Sequence, residues 1–333
     1  MEDPRLNFFK SINLDDSRIL HFPGIVFVCG GARNDIKIPP TYVRDHIVRS
    51  LWDLHRDIAD KIIEAEDVED WLKEGHYSNL IDFETDIAKL ATLIVLFVES
   101  AGSIAELGAF SVIHDIASKL IVFIRENSYQ QDSFIRLGPI QYLEDMETSV
   151  KVYPWTLLSP ASNINPNHPP QNHISEFGPP DIESVKPLTI DICNDIVAAF
   201  KKNRQTAAFS KTQPGHIMLL IVDMVDIFLA LKKGEIQEHL QDLGINLSTR
   251  VIMKYLYLLL KLELLEKKSY GDHYYIATVQ IPYIKHSFVE KKPVHDRVRF
   301  KTILADYYRN HDRQRHNALT QYRSDKTLSN KGS

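Results

Sequence analysis

The segment Val98-Glu-Ser-Ala-Gly-Ser-Ile-Ala-Glu-Leu-Gly-Ala-Phe110 holds the residues best suited to chemistry. It stands where an apolar run over 92–98 gives way to a helical pattern over about 103–118. Gly102 lets a backbone approach a ligand closely. The N–H groups of Ser103 and Ile104, together with the turn residue Ser100, suit an anion or a sugar hydroxyl at a helix start. Glu106 falls on the first turn of the expected helix, with its carboxylate directed back toward the strand ends. A carboxylate so placed can attack an anomeric carbon, or stabilise the oxocarbenium ion formed when a glycosidic bond breaks. The string Ser103-x-x-Glu106 also spells a capping box, a purely structural use, and the spacing leaves both uses open.

A second cluster, Gly30-Gly31-Ala32-Arg33, follows the apolar run 24–29, at a position where phosphates often sit. Arg33 suits a bidentate phosphate contact as well as it suits a surface loop. Cys29 reads as a buried strand residue, since no His lies near it in sequence. The elements that must position these residues alternate. Apolar runs at 24–29, 92–98, 120–125 and 150–153 read as strands. Between them lie helical patterns: Val43, Ile47, Leu51, Leu54, Ile58 and Ile62, then 82–90, 103–118 and 132–145. The acidic stretch 64–75 reads as solvated. Such alternation predicts a Rossmann-like α/β domain over 1–155, with a parallel sheet covered on both faces.

Seven prolines between 156 and 187 predict a linker. From 188 to 290 the order is helix, helix, turn, helix, hairpin, that of a mainly α winged helix-turn-helix domain. In its expected recognition helix, Arg250, Lys254, Tyr257 and Lys261 share one face opposite apolar positions. The hairpin adds Lys267 and Lys268 beside Tyr270, His273, Tyr274 and Tyr275, a mixture suited to nucleic acid. The span 206–290 nevertheless balances 9 Lys+Arg against 9 Asp+Glu, which fits a protein-docking module equally. The tail 291–333 is basic, with a helix expected over 298–308 and disorder near its end. Its arginines, among them Arg297, Arg309, Arg315 and Arg323, alternate with Tyr307, Tyr308 and Tyr322 and could follow a phosphate backbone.

Gly102-Ser103-Ile104-Ala105-Glu106-Leu107-Gly108 resembles the G-[ST]-x-x-E-[IL]-G turn of the nucleoside 2-deoxyribosyltransferases. That resemblance implies that Glu106 is the nucleophile on C1′ of a sugar, and it offers Asp82 of Asp82-Phe-Glu-Thr-Asp86 as a substrate-positioning residue. It also implies an oligomer in which one subunit completes a neighbour's site. The family carries an Asp six residues before the nucleophile. Here Ser100 stands there, with Glu99 just before it, a departure that points to a changed substrate. Together with the Gly30-Gly31-Ala32-Arg33-Asn34 loop and the C-terminal winged helix, the pattern resembles the retron effectors over nearly the whole chain. That resemblance implies an antiphage toxin that cleaves N-glycosidic bonds of nucleotides, with NAD as substrate and no other cofactor. The same resemblance implies that this toxin is held inactive by a reverse transcriptase and its multicopy single-stranded DNA with its RNA. The chemistry favours NAD, whose nicotinamide already carries a positive charge and leaves without protonation, whereas a neutral purine needs a proton donor.

Length and composition bound these readings. The chain has 333 residues, 44% hydrophobic and 25% charged, which excludes a disordered, collagenous or disulfide-scaffold protein. No apolar run approaches the roughly 18–20 residues that span a bilayer. The acidic start shows no signal-peptide pattern. Two distant cysteines, Cys29 and Cys193, fit a reducing cytoplasm and offer no metal-ligand spacing. Residues 1–155 carry 15 Lys+Arg against 26 Asp+Glu, net −11, and residues 291–333 carry 11 against 4, net +7. The two ends therefore suit different partners. A nucleotide-sensing winged-helix regulator without turnover, or a structural partner with Glu106 as a cap, would show the same composition.

Overall fold

The strands Leu93–Val98 and Leu120–Arg125, with sequences LIVLFV and LIVFIR, are buried at every position. They therefore read as unbroken apolar runs, without alternation. They are the centre of a computed structural model that describes residues 3–8, 11–67, 75–158, 178–203, 206–278, 281–289 and 296–329. In chain order its main elements begin with β1 (Ile12–Ile19), β2 (Val26–Cys29), α1 (Val43–Leu54), β3 (Ile62–Ile63), α2 (Leu80–Leu90), β4 (Leu93–Val98), α3 (Ala101–Ser111), β5 (Leu120–Arg125) and β6 (Ser149–Tyr153). Then follow α4 (Thr189–Lys202), β7 (Ala207–Ala208), α5 (Pro214–Ile227), α6 (Lys233–Asp242), α7 (Thr249–Lys261), β8 (Leu265–Tyr270), β9 (Asp272–Ala277), β10 (Ile284–Phe288), α8 (Arg297–His311) and α9 (Arg313–Ser329). They form two compact units. One comprises Pro23–Glu69 and Ile87–Arg204, the other Met1–Phe22, Asp70–Asp86 and Gln205–Ser333.

The first unit is a parallel five-stranded sheet in the order β3-β2-β4-β5-β6. On one face Val95, Phe97 and Phe123 join a core with Ile47 of α1 and with Ile192 and Ile196 of α4. On the other, Phe27 of β2 meets Phe110 of α3, ring centroids 6.5 Å apart. Helix α4, expected at the head of the second domain, thus packs on the sheet, because Ile192, Cys193, Ile196 and Phe200 recur at helical spacing and find its apolar face. The helix expected over 43–62 ends at Leu54, where His55 leaves helical geometry (φ −145°, ψ 63°). Ile62 and Ile63 pair instead with Val26 and Phe27 as an edge strand, the use β-branched residues favour.

In the second unit β1 is the middle strand of an antiparallel sheet, β10-β1-β7. Residues 1–22 therefore belong here, whereas the sequence had grouped them with 23–155. Leu14, Ser17 and Ile19 of β1 point inward while Asp15, Asp16 and Arg18 are exposed. Helices α5, α6 and α7 and the hairpin β8-β9 follow in the expected order, with α5 as the first helix. The hairpin turns at Gly271 (φ +69°), a conformation glycine adopts without strain. The tail is two helices, α8 and α9, where disorder was expected toward the end; residues 330–333 lie outside the described residues, as does 159–177 of the expected linker. No helix of the described residues is long and apolar enough to cross a membrane.

Candidate functional site

With β2 lying between β3 and β4, the chain leaves the carboxyl ends of β2 and β4 in opposite directions. Ligands of open α/β sheets bind at such a crevice. The Gly30-Gly31 loop and the Glu99-Ser100 turn meet there. Glu99 is buried, and its carboxylate accepts N–H bonds from Gly31 (3.0 Å), Val43 (2.6 Å) and Arg44 (3.0 Å). Burial pushes its carboxyl above the ordinary range, against the three N–H donors, which favour the anion. Glu99 therefore holds the first loop and the start of α1 to the end of β4. The sequence marked it only as a departure from the family pattern; a lone acid closing a fully apolar strand was the available signal.

The glycine pair answers to packing. A Cβ on Gly31 would stand 2.0 Å from Cδ1 of Tyr42, and one on Gly30 would stand 2.9 Å from Cβ of Arg44. Gly31→Ala is expected to destabilise the protein by about 1–3 kcal/mol through overpacking. Urea unfolding of Gly31→Ala and of the Gly31→Ala/Tyr42→Ala pair checks this: the second substitution should recover part of the loss, and additive losses would place the strain elsewhere.

Helix α3 begins two residues earlier than the sequence suggested, at Ala101. Ser100 is its N-cap and Ser103 its N3 residue, and these two form the capping box. Ser100 Oγ accepts the Ser103 N–H (3.1 Å), while Ser103 Oγ accepts the N–H groups of Glu99 (3.1 Å) and Ser100 (2.9 Å). Ser100 Oγ also reaches Gly30 O at 3.4 Å. Both serines, expected to bind substrate, are thus engaged in the turn. Glu106 is consequently on the second turn, half-buried, and the Ser103-Glu106 capping reading does not hold. Gly102 precedes Glu106 by four residues on the same helix face, the direction in which a helical side chain points. A Cβ at Gly102 would meet nothing closer than Ser100 Oγ at 3.8 Å, and one at Gly108 would meet nothing within 4 Å. Each helical glycine costs about 1 kcal/mol relative to alanine, so helix stability is forgone beside Glu106 without a packing reason.

The remaining expected residues are placed as follows. Arg33 Nη1 donates to Glu64 (2.5 Å) and Asp67 (2.9 Å), so a phosphate there would compete with two carboxylates. Glu64, in the stretch expected to be solvated, is 1% exposed, because Arg33 and Arg44 (Nε 3.7 Å from Oε1) draw it inward. Burial pushes its carboxyl upward against those two cations. Arg125, not singled out by sequence, is buried at the carboxyl end of β5, one residue beyond the Val98–Ile124 pair, and donates to Ser128 Oγ (3.2 Å). Asp82 belongs to the other compact unit. There Asn79 Oδ1 accepts its N–H, and its carboxylate stands 3.9 Å from Lys254.

That contact bears on the expected nucleic-acid face of α7. Tyr257 is buried, its ring 4.9 Å from His76 and 6.2 Å from Tyr77. The Lys254 ammonium sits 4.4 Å from the Tyr77 ring centroid and 3.8 Å from Asp86. Residues 76–86 therefore cover the middle of the face expected to be open, leaving Arg250 and Lys261 exposed at its ends. On the hairpin, Lys267 is exposed, Lys268 is held by Glu266 and Asp325, and Tyr274 and Tyr275 are buried. In the tail, Arg315, Tyr308 and Tyr322 are buried, so they do not trace a solvent-borne phosphate chain.

The STM3845 retron effector protein family matches residues 40–267 of the chain. A stretch of 120 residues is 32% identical to the Escherichia coli protein named "Retron Ec73 putative ribosyltransferase/DNA-binding protein", covering 35% of this chain and 36% of that one. A stretch of 70 residues is 39% identical to the protein of the same designation from retron Ec86 of Escherichia coli, covering 21% and 22%. The matched stretches thus span about a third and a fifth of these relatives' lengths.

Proposed function

The chain belongs to the STM3845 retron effector family, and from that premise we propose that its α/β unit cleaves the N-glycosidic bond of a nucleotide, NAD first among candidates. One observation carries the reading: Ser100 and Ser103 cap α3 by themselves, which leaves the Glu106 carboxylate without that structural task beside the bare surface at Gly102. The relatives' designation as ribosyltransferases supports glycosyl transfer as the reaction class. In the proposed step a Glu106 oxygen attacks C1′ of the nicotinamide ribose. The C1′–N bond breaks, its electron pair neutralises the pyridinium nitrogen, and nicotinamide departs without taking a proton. Water then attacks C1′, the bond from C1′ to the Glu106 oxygen breaks, and one water proton passes to solvent, giving ADP-ribose and restoring the carboxylate. Glu99 acts as a positioning residue, fixing the Gly30-Gly31 loop against the turn that carries α3.

The second part of the proposal is that the C-terminal unit contacts nucleic acid, as the relatives' DNA-binding designation suggests. In a cell this would be the retron's own single-stranded DNA, held with its reverse transcriptase, keeping an antiphage toxin in check. Incubation of the purified chain with NAD, followed by chromatography for nicotinamide and ADP-ribose, tests the enzymatic half. Equimolar release of both supports it. Base release from another nucleotide alone would change the substrate, and no base release from any nucleotide would remove the glycosidase reading.

A further inference from the structure

Helix α8 shows two faces at helical spacing. Phe300, Leu304 and Tyr308 are fully buried, and Arg297 and Lys301 anchor to Asp223 (2.8 Å) and Asp226 (2.6 Å) of α5. The other face, Val298, Thr302, Ala305 and Arg309, lines a cavity of about 590 Å³ that Leu319, Tyr322 and Arg323 of α9 close from the far side. Leu229 and Ile276 add apolar lining, and Asp226, Lys301 and Asp306 line the cavity as well, so its walls are part apolar and part charged. Val298 is 78% exposed there, an apolar side chain left open on a helix otherwise well anchored. The volume lies within the range of small-ligand sites, about 300–1,000 Å³.

We propose that this groove between α8 and α9 is where single-stranded nucleic acid seats, with a base on the apolar lining and backbone phosphates on Arg309 and Arg323. The inference rests on the nucleic-acid contact proposed above and gives it a location. Three observations favour it. The middle of the α7 face, where a recognition helix would read a duplex, is covered by residues 76–86. The stretch 296–329 carries 8 Lys+Arg against 4 Asp, and although Arg297, Lys301 and Arg315 are committed to Asp223, Asp226 and Glu235, Arg309 and Arg323 both line the cavity. Lys301 is committed to Asp226, whereas Arg309 has Asp306 only at 3.5 Å with both side chains about two-thirds exposed, a pairing that a phosphate can replace cheaply. Cations beside an apolar surface of base size are the features that bind single strands without reading sequence.

The test is fluorescence anisotropy of the whole 333-residue chain with labelled oligo-dT over a salt series. Ala305→Trp fills the groove without changing charge and should weaken binding by about tenfold, the equivalent of one lost base seat. Arg309→Ala/Arg323→Ala should also flatten the slope of log affinity on log salt by about 1.4, from roughly 0.7 per single-strand phosphate contact. Arg299→Ala/Arg313→Ala, on the same helices and outside the cavity lining, should lose less than about twofold. Binding that survives both groove changes but fails with Lys267→Glu on the hairpin overturns the groove and leaves nucleic-acid contact standing. Binding indifferent to all these changes also overturns it. No oligonucleotide binding by the unaltered protein removes the nucleic-acid reading itself, and the groove with it.

Discussion

Glu106→Gln should abolish nicotinamide release from NAD while leaving the protein folded. Glutamine keeps the size of the side chain and can still accept a hydrogen bond, but its amide oxygen is a poor nucleophile. Loss of a residue that bonds to the reacting carbon lowers turnover by about 10³-fold or more. The stability half of this expectation follows from the position of the helix start. Had Ser103 been the N-cap and Glu106 its reciprocal partner, the substitution would cost about 1 kcal/mol of cap. The cap is formed by Ser100 and Ser103, its N-cap three residues earlier, so the substitution leaves that cap in place. Cells expressing the chain without other retron components should lose NAD, and cells expressing Glu106→Gln should keep it. If both proteins deplete NAD equally, Glu106 is not the nucleophile. If both leave NAD intact but only the unaltered chain is toxic, the carboxylate acts on a different nucleotide.

The shift of that helix start shows what a sequence can and cannot tell. The parallel strands were legible because strands buried on both faces leave apolar runs that no other element explains well, as at 93–98 and 120–125. The crevice was legible too, since small residues and one acid cluster where such runs end. The helix start was not, because Ser100 and Ser103 are equally good caps and only backbone geometry separates them: Ser100 is extended at φ −144°, ψ 164°. Partnership across long sequence distances was invisible for a different reason. The apolar stripe of α4 says that the helix packs, not that it packs on a sheet whose strands lie up to about 170 residues earlier in the chain. The same holds for α7. Its Arg250-Lys254-Tyr257-Lys261 face has the periodicity of an open recognition surface. Nothing local announces that Tyr77 and Asp86 cover its centre. Arg33 shows the converse case, a cation placed well for phosphate but answered by Glu64 and Asp67, acids some thirty residues away.

The basic tail yields the other large expected effect. Arg315 is 1% exposed, and its fork donates to Glu235 (2.5 and 3.0 Å), Asp312 (2.9 Å) and the Ala230 carbonyl (2.7 Å), with the Tyr308 ring 4.9 Å away. Arg5 donates to the same Glu235 (2.6 Å), so the network fastens α9 and the chain start to α6. Arg315→Met should cost about 3–5 kcal/mol in urea unfolding, because it strands partly buried carboxylates without their cation. Arg315→Lys should recover only part of that, since an ammonium cannot reproduce the planar fork. Arg315→Met/Glu235→Gln should be more stable than Arg315→Met alone, because the stranded charge is gone. The pH dependence gives an independent readout. Burial pushes the Glu235 carboxyl up, but Arg315, the Lys232 N–H and Arg5 together draw it down to about 2. A depressed folded pKa stabilises the protein above the ordinary carboxylate value, and this contribution is lost as pH falls from about 4.5 toward 2. In Arg315→Met that acid-side loss should shrink, since little of the contribution remains to be lost. An undiminished acid slope would mean that Arg5 and the Lys232 N–H hold Glu235 in its low state without Arg315, and that α9 is fastened by its apolar contacts, Ala318, Leu319 and Tyr322.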